Sequence, residues 1–506
     1  SNGGMMRIIV VLLCLLASAC ANKTDMQGRA VSERKTVQPN VVILFADDLG
    51  YGDLGSYGHP YIRTPNLDEM AREGQRWTDF YAAAPVCSPS RAALLTGRYP
   101  VRTGQFGERI GVYFPKETGG FPAEETTIAE LLNAAGYRTG MFGKWHLGDA
   151  PHALPTRHGF DEWLGIPYSN DMDWEVGPDI EGMIRLTQEG KTDEIERIFT
   201  TRRALYAKPV AGAWQVPLIR SVRHGTSFKD TIVEQPADQS LITQRYTREA
   251  IRFIEESGEA PFFVYLPYTM PHTPLFRSPA FEGHSLGGRY GDVIEEIDSS
   301  VGQIRAALRR RGELENTLIL FTSDNGPWLT MLTEGGRAGL LRMGKGTTFE
   351  GGMRVPGIFS WPGRIKPDVV SEIGSTLDIY RTIAAIAGLD GSAGIDGYDL
   401  SSTLFERTPS ARKALAYYRG GALYAYRSGP WKLHLRTQGA YGQGPELTVH
   451  EKPVLHHLHD DPSERFDVSE ANEETIRALT TEIAAHQGQM DVKPPAMDAR
   501  LARIVP

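Results

Sequence analysis

The chain has 506 residues, 41% of them hydrophobic and 23% charged, which is ample for a buried core and excludes intrinsic disorder, collagen and polytopic membrane folds. At ~150 residues per domain, this length fits about three domains, or one large α/β domain with a smaller one. Lysine and arginine number 54 against 62 aspartates and glutamates, a net charge of −8, so no chain-wide basic field attracts nucleic acid, and an anionic substrate needs a local cluster of positive groups. Three cysteines, Cys14, Cys20 and Cys87, are too few for a disulfide framework.

Residues 1–4 read as a cloning remnant. After Met5-Met6-Arg7 comes an apolar run, 8–19, too short to cross a bilayer and suited to a signal-peptide core. Leu16-Ala17-Ser18-Ala19-Cys20 resembles a bacterial lipobox, in which Cys20 is lipidated and becomes the mature N-terminus. Ala17 stands where a larger aliphatic residue is usual, so simple cleavage and release is the alternative. The polar residues that follow, up to 38, read as a tether. The expectation is an exported protein, periplasmic or held at an outer membrane by a possible lipid anchor, with Cys87 as the one thiol of its folded body.

The body opens with an apolar stretch at 41–45 that reads as a buried strand, followed at once by Ala46-Asp47-Asp48-Leu49-Gly50. The pattern around Cys87-Ser88-Pro89-Ser90-Arg91 predicts a helix with Ser88 as N-cap, Pro89 in its first turn and Gly97 as its stop. Cys87 then sits at a helix N-terminus with Arg91 one turn in, which makes it either an activated thiol or part of an anion site. Thr127 and Glu130 form a capping box ahead of Ile128, Leu131, Leu132 and Ala135 at helical spacing, and a short strand follows at 137–142. Lys144 and His146 come next, alternating as at a strand end, so both can face one pocket.

Residues 170–235 break this rhythm and are rich in tryptophan and charge, including Trp174, Trp214, Arg220, Arg223 and His224; they read as an insertion near the pocket mouth. The rhythm resumes with a helix at 238–256, a strand at 262–266 and then Pro271-His272-Thr273-Pro274. A third unit has Val293, Ile297, Val301, Ile304 and Leu308 on one helical face, Gly312 as a stop and a strand at 317–322. Thr322-Ser323-Asp324-Asn325-Gly326 follow, and later Lys345 lies between Gly344 and Gly346. The alternation predicts an α/β fold with a largely parallel or mixed sheet covered by helices. The catalytic domain is expected at 39–390, and a smaller C-terminal subdomain at 391–506, where Trp431-Lys432-Leu433-His434-Leu435 reads as an alternating strand.

Open α/β sheets bind ligands beyond the carboxyl ends of their strands. Here two apolar strands end in oxygen-bearing residues, Asp47 and Asp48 after the first, Asp324 and Asn325 after the last. Adjacent carboxylates repel unless a cation neutralises them, and this all-oxygen set suits Ca²⁺ or Mg²⁺ and offers no soft ligand to zinc.

Cys87-x-Pro89-x-Arg91 followed by Ala92-Ala93-Leu94-Leu95-Thr96-Gly97-Arg98 resembles the sulfatase signature, whose cysteine is oxidised to Cα-formylglycine. Asp47-Asp48-Leu49-Gly50, Gly143-Lys144-Trp145-His146, Pro271-His272-Thr273-Pro274, Ser323-Asp324-Asn325-Gly326 and Gly344-Lys345-Gly346 stand in the family's order. Arg427 to His434 and Asp461-Pro462-Ser463-Glu464 are similar to the closing segments of the arylsulfatase A and N-acetylgalactosamine-6-sulfatase types. The resemblance implies an alkaline-phosphatase-like large mixed sheet flanked by helices, and a C-terminal domain with an antiparallel sheet.

It also implies a division of labour. Formylglycine at Cys87, hydrated, supplies the nucleophile; Asp47, Asp48, Cys87, Asp324 and Asn325 hold the cation, which the resemblance makes Ca²⁺ ahead of Mg²⁺, with Asp324 placed as a base. Lys144, Lys345 and Arg91 bind sulfate oxygens or steady the nucleophile, His272 with Lys345 protonates the leaving oxygen, and His146 takes the second hydroxyl proton so that sulfate is expelled. Lys144, His272, Lys345 and His434 are the substrate-binding residues on this reading. The implied substrate is a sulfate ester, with a sulfated glycan ahead of a steroid or small aryl ester, and the implied partner is a formylglycine-generating maturation enzyme; no nucleic acid is expected. A phosphodiesterase or phosphonate monoester hydrolase of the same superfamily is the second reading, and a lipid-anchored binding protein with a dead site the third.

Overall fold

Ten strands form one mixed sheet in the computed structural model, which describes residues 38–504. Cys14, the lipobox around Cys20 and nearly all of the polar stretch before residue 39 lie outside the described residues. The strands are β1 (Asn40–Ala46), β2 (Gln75–Tyr81), β3 (Arg138–Phe142), β4 (Glu162–Gly165), β5 (Leu218–His224), β6 (Ser227–Glu234), β7 (Phe262–Pro267), β8 (Thr317–Ser323), β9 (Arg354–Ser360) and β10 (Asp368–Ser375). Their order is β10-β2-β9-β8-β1-β7-β3-β4-β5-β6, with β8-β1-β7-β3-β4 a parallel run at the centre. Alternate residues of β1 enter opposite faces: Val42 and Leu44 join one hydrophobic core, Val41, Ile43 and Phe45 the other. Burial on both faces is why this strand reads as an unbroken apolar run.

Register decides where the acidic segments meet. Ala46 pairs with Ser323, and the Asp324 N–H continues the ladder to the Ala46 carbonyl at 3.1 Å, so Asp47-Asp48 and Asp324-Asn325 leave the sheet side by side. The flanking helices form largely as their patterns require. Thr127 and Glu130 make the full capping box, and the helix Gly288–Arg311 ends at Gly312 in the left-handed conformation. The helix Cys87–Thr96 starts two residues earlier than predicted: Val86 is its N-cap, Cys87 its first residue, and Ser88 accepts a hydrogen bond from the Tyr113 N–H instead.

The segment expected as an insertion begins with the helices Ile180–Gln188 and Thr192–Ala207 and ends by adding β5 and β6 antiparallel to the sheet edge. Arg220 pairs there with Glu249, and Arg223 with Asp161, so both arginines brace the sheet edge. A second sheet, β11 (Ala414–Arg419), β12 (Ala422–Ser428), β13 (Trp431–Thr437) and β14 (Thr448–His457), is antiparallel throughout. From Pro39 onward the chain is one compact unit, and Tyr81 and Ala93 share a core with Leu415 and Leu433. The second sheet is thus docked on the first through common apolar packing.

Candidate active site

Beyond the carboxyl ends of β1 and β8, the side chains of Asp47, Asp48, Asp324 and Asn325 are all buried. Asp48 and His146 hold left-handed backbones, φ 64° and 61°, a cost that non-glycine residues bear where surrounding contacts over-determine them, typically at functional sites. Lys144 and His146 do not alternate on a strand. They lie in the loop after β3, whose N–H groups bond the ends of neighbouring segments, Lys144 to Pro267 O at 2.8 Å and His146 to Pro167 O at 3.1 Å. Lys345 is fixed the same way: its N–H reaches Pro327 O and that of Gly346 reaches Pro85 O, both at 2.9 Å, tying it to the Asn325 and Cys87 loops together.

Cys87 lies at the centre. Its Sγ is 3.5 Å from Asp47 Oδ1 and 4.0 Å from Asp48 Oδ1. Lys144 Nζ bonds Asp47, Lys345 Nζ bonds Asp48 Oδ2 at 2.8 Å, and Arg91 donates to Asp324 Oδ2 at 2.9 Å and to the Lys144 carbonyl at 3.0 Å. Three carboxylates thus balance three cations, leaving room for a dication to make the site positive. Burial pushes Asp324 up to about 7, reinforced by Asp47 and opposed by Arg91. For Asp47, burial is outweighed by Lys144, His272 and Arg91, which hold it well below the usual carboxylate range. Burial also drives the Cys87 thiol well up, so in its unmodified form it is protonated and a weak nucleophile.

Two histidines complete the site, each with one ring nitrogen committed to main chain. His146 Nε2 lies 2.9 Å from the Tyr113 carbonyl, which assigns its proton there and leaves Nδ1 with a free lone pair and no protein partner. His272 Nδ1 faces the Thr273 carbonyl at 2.6 Å, so Nε2 turns to Asp48 Oδ2 at 3.6 Å and Ser169 Oγ at 3.3 Å. Burial keeps both imidazoles well below their ordinary value.

The residues present fit a divalent cation. One ligand atom each from Asp47, Asp48, Cys87 and His272 lies within 4.8 Å of the others. Asp324 and Asn325 join this group through Asp48, whose N–H reaches Asp324 Oδ1 at 3.1 Å and whose Oδ1 accepts from Asn325 Nδ2 at 2.7 Å. Asn325 Oδ1 is buried without a protein hydrogen-bond partner, as expected of an oxygen reserved for a ligand. The set is carboxylate and amide oxygen with a thiol at its edge, chemistry for a hard cation.

Cys87, Arg91, Lys144, His146, His272, Asp324 and Lys345 are therefore brought together with Asp47, Asp48 and Asn325. His434 is not. It is fully buried on β13 with Nε2 on Glu464 Oε1 at 2.7 Å, beside Lys432 and Glu350, so its place is in the carboxylate network that joins the two sheets. Sequence reasoning missed Ser169, whose Oγ sits between Lys144 Nζ (3.1 Å) and His272, and Trp328, whose ring lies 4.5 Å from Lys345 Nζ and 5.4 Å from the His272 ring. Neither belongs to a periodic pattern; Trp328 could have been noticed two residues after Asn325-Gly326.

Comparison with known proteins agrees with this geometry. The sulfatase family model matches residues 39–389, and the model for the C-terminal region of aryl-sulfatase matches 410–503. The chain is 41% identical over 458 residues to arylsulfatase A of Bos taurus, covering 86% of this chain and 84% of that protein. With N-acetylgalactosamine-6-sulfatase of Sus scrofa it shares 39% over 481 residues, 89% of this chain and 86% of the relative. Among solved structures, the PsFucS1 sulfatase from Pseudoalteromonas sp. superposes with a TM-score of 0.76 at 28% identity, covering 97% of both chains. Ps i-CgsB, solved in complex with k-i-k-neocarrahexaose, does so at 0.70 and 30%, covering 90% of this chain and 94% of its own. Family models over both sheets, together with relatives near 40% identity along most of the length, place this chain in the sulfatase family, and it is a sulfuric ester hydrolase.

Proposed function

We propose that the protein hydrolyses sulfate esters of a carbohydrate, with Cys87 acting in its formylglycine form and Ca²⁺ bound by Asp47, Asp48, Asp324 and Asn325. The observation that carries this reading is the orphaned Asn325 Oδ1 beside three converging carboxylates and a buried, protonated Cys87. When bound, the cation polarises sulfate oxygens and eases deprotonation of the nucleophile. The aldehyde, when formed, supplies that nucleophile as a hydrate.

The remaining work falls to this chain's own side chains. Lys144, Lys345 and Arg91 hold the sulfate oxygens and the charge that grows on them, in a buried setting where each such contact counts for far more than in water. His272, with its Nδ1–H held by Thr273 O, presents Nε2 toward the leaving oxygen; once the bound sulfate anion has drawn a second proton onto the ring, Nε2–H is the proton handed to that oxygen. His146, with Nε2 fixed by Tyr113 O, offers Nδ1 as an acceptor for a hydroxyl proton of the nucleophile. Cys87 is only 1% exposed, so a maturation enzyme must act on it before this part of the chain closes. A carbohydrate substrate is supported by the relative solved with k-i-k-neocarrahexaose and by those named N-acetylgalactosamine-6-sulfatase. Export with a possible lipid anchor at Cys20 belongs to the same reading.

Mass spectrometry of the Cys87 peptide from a host with maturation machinery tests the first element: the expected mass is that of the aldehyde, and an intact thiol in active enzyme overturns it. Metal analysis of the purified protein should return one calcium per chain. Turnover of a sulfated oligosaccharide should exceed that of a phosphate diester or phosphonate, and the opposite preference favours the phosphoester reading.

A further inference from the structure

Beside the catalytic cluster, between the start of the helix Cys87–Thr96 and the second sheet, lies a cavity of about 380 Å³. It touches the site through two of the loops that build it: Val86 and Pro89 on either side of Cys87, and Gly346 next to Lys345. Tyr441 lines both this cavity and the small pocket bounded by Lys345 and Trp328. This residue sits at the tip of the β13–β14 connection with a left-handed backbone, φ 54°, and packs on Gly346 so closely that a Cβ there would meet its ring at 3.0 Å. Its ring is 5.1 Å from Trp328, which in turn covers Lys345 and His272, the two groups aimed at the leaving oxygen. A continuous aromatic path therefore runs from the leaving oxygen's position into the cavity.

The cavity's chemistry is cationic. Arg109 and Arg419 line it, and neither guanidinium has a carboxylate partner among the described residues. Arg419 donates only to main-chain carbonyls, Gly439 O at 2.8 Å and Gln438 O at 3.5 Å, and so braces the loop that carries Tyr441. The one carboxylate on the wall, Glu108, is committed to the Gly421 N–H at 2.9 Å. In a protein of net charge −8, two unpaired guanidiniums facing one cavity next to an anion-handling centre form a local attraction for a second anion.

Building on the proposed function, we infer that this cavity receives the leaving-group side of the substrate and that its occupant is a saccharide unit bearing an acidic substituent, a carboxylate or a further sulfate, held by Arg109 and Arg419 and stacked along Tyr441 and Trp328. The substrate class that follows is a polyanionic glycan, with the ester to be cleaved in the catalytic cluster and a neighbouring acidic group in the cavity.

Calorimetric titration of the full-length, calcium-loaded Cys87→Ala protein tests this without turnover. The probes are a mono-sulfated disaccharide, its doubly sulfated counterpart, its uronate-bearing counterpart and a sulfate-free uronate disaccharide. Each acidic addition should tighten Kd about tenfold at low salt and less at high salt. Arg109→Gln and Arg419→Gln should each erase most of that gain, and Arg419→Lys should keep part of it. Arg109 is not one of the braces on the Tyr441 loop, so its variant decides the matter if Arg419→Gln perturbs the loop. A gain carried by sulfate but not uronate, or the reverse, names the acidic group. Equal affinity for all sulfated probes, or a gain that survives Arg109→Gln, overturns the inference. Binding of the sulfate-free uronate that depends on both arginines, in an enzyme that turns over no sulfate ester, would keep the subsite and discard the proposed function; turnover with no gain would do the opposite.

Discussion

Two buried charge clusters of equal size lie within this molecule. One is the candidate active site, with Asp47, Asp48 and Asp324 against Arg91, Lys144 and Lys345. The other docks the second sheet, with Asp79, Glu350 and Glu464 against Arg354, Arg427 and Lys432. Both are charge-balanced and both are built from segments that carry family motifs, so charge count and burial do not tell them apart. What differs is satisfaction. In the second cluster Glu350 accepts from Tyr81 and Tyr417 hydroxyls and from Lys432, Glu464 accepts from Lys432, His434 and the Glu350 N–H, and His434 Nδ1 is the one atom among these residues without a partner. In the first, Asn325 Oδ1, His146 Nδ1 and Arg91 Nε are left without protein partners around one common space. A satisfied network is glue, and an incompletely satisfied one that leaves its atoms toward a shared gap awaits a ligand.

Single substitutions should separate the two clusters. Cys87→Ala is expected to lower kcat for sulfate ester hydrolysis by at least ~10³-fold, with Tm held within a few degrees; retention of a tenth of the activity would remove this residue from the chemistry. Glu350→Ala should do the reverse, costing about 3–5 kcal/mol in chemical denaturation by taking one of three carboxylates from a buried cluster that then holds an uncompensated cation, while the folded fraction keeps its kcat within about threefold. If Glu350→Ala instead abolished turnover at full stability, the contrast drawn here would fail. Chelation of the bound cation should stop turnover and, at a hundredfold excess of cation over Kd in the reference, lower stability by about 2.7 kcal/mol; the Tm of Asn325→Ala should respond much less to added calcium.

A smaller effect concerns acid. Burial brings His434 down to about 4 despite Glu464, and burial does the same to His158, from an ordinary 6.5. The fold holds both neutral where the unfolded chain would protonate them. Their contribution is therefore complete above pH 6.5 and lost as the pH falls toward 4. Tm measured across that window should decline, and the decline should be shallower in His158→Gln. A slope unchanged by the substitution would assign the acid limb to other groups.

Much of this was legible in the chain itself. Apolar runs at β1 and β8 followed by paired oxygen residues, the helix start at Cys87, the capping box at Thr127 and the glycine stops at Gly97 and Gly312 are local patterns, and local backbone physics obeys them. Ordered motifs likewise pointed to Lys144, His146, His272 and Lys345. What periodicity could not supply was depth and direction. Lys432 and His434 alternate on a strand just as surface or pocket residues do, and only the docking of the second sheet turns them toward Glu350 and Glu464. Arg220 and Arg223 looked free until β5 and β6 joined the sheet edge and gave them carboxylates.

The sequence by itself thus determined the helix-strand alternation around β1, β3, β7 and β8, the helix terminus that carries Cys87 and the oxygen-rich segments that end β1 and β8, because each rests on neighbours within a few residues. Tertiary structure alone decided that Ala46 and Ser323 pair in register and bring two distant acidic segments together, that Ser169, Trp328 and Tyr441 close around them, and that one of two equal charge clusters is left with more unpaired atoms than the other. Those outcomes depend on strand pairing and domain docking across hundreds of residues, where no local preference operates.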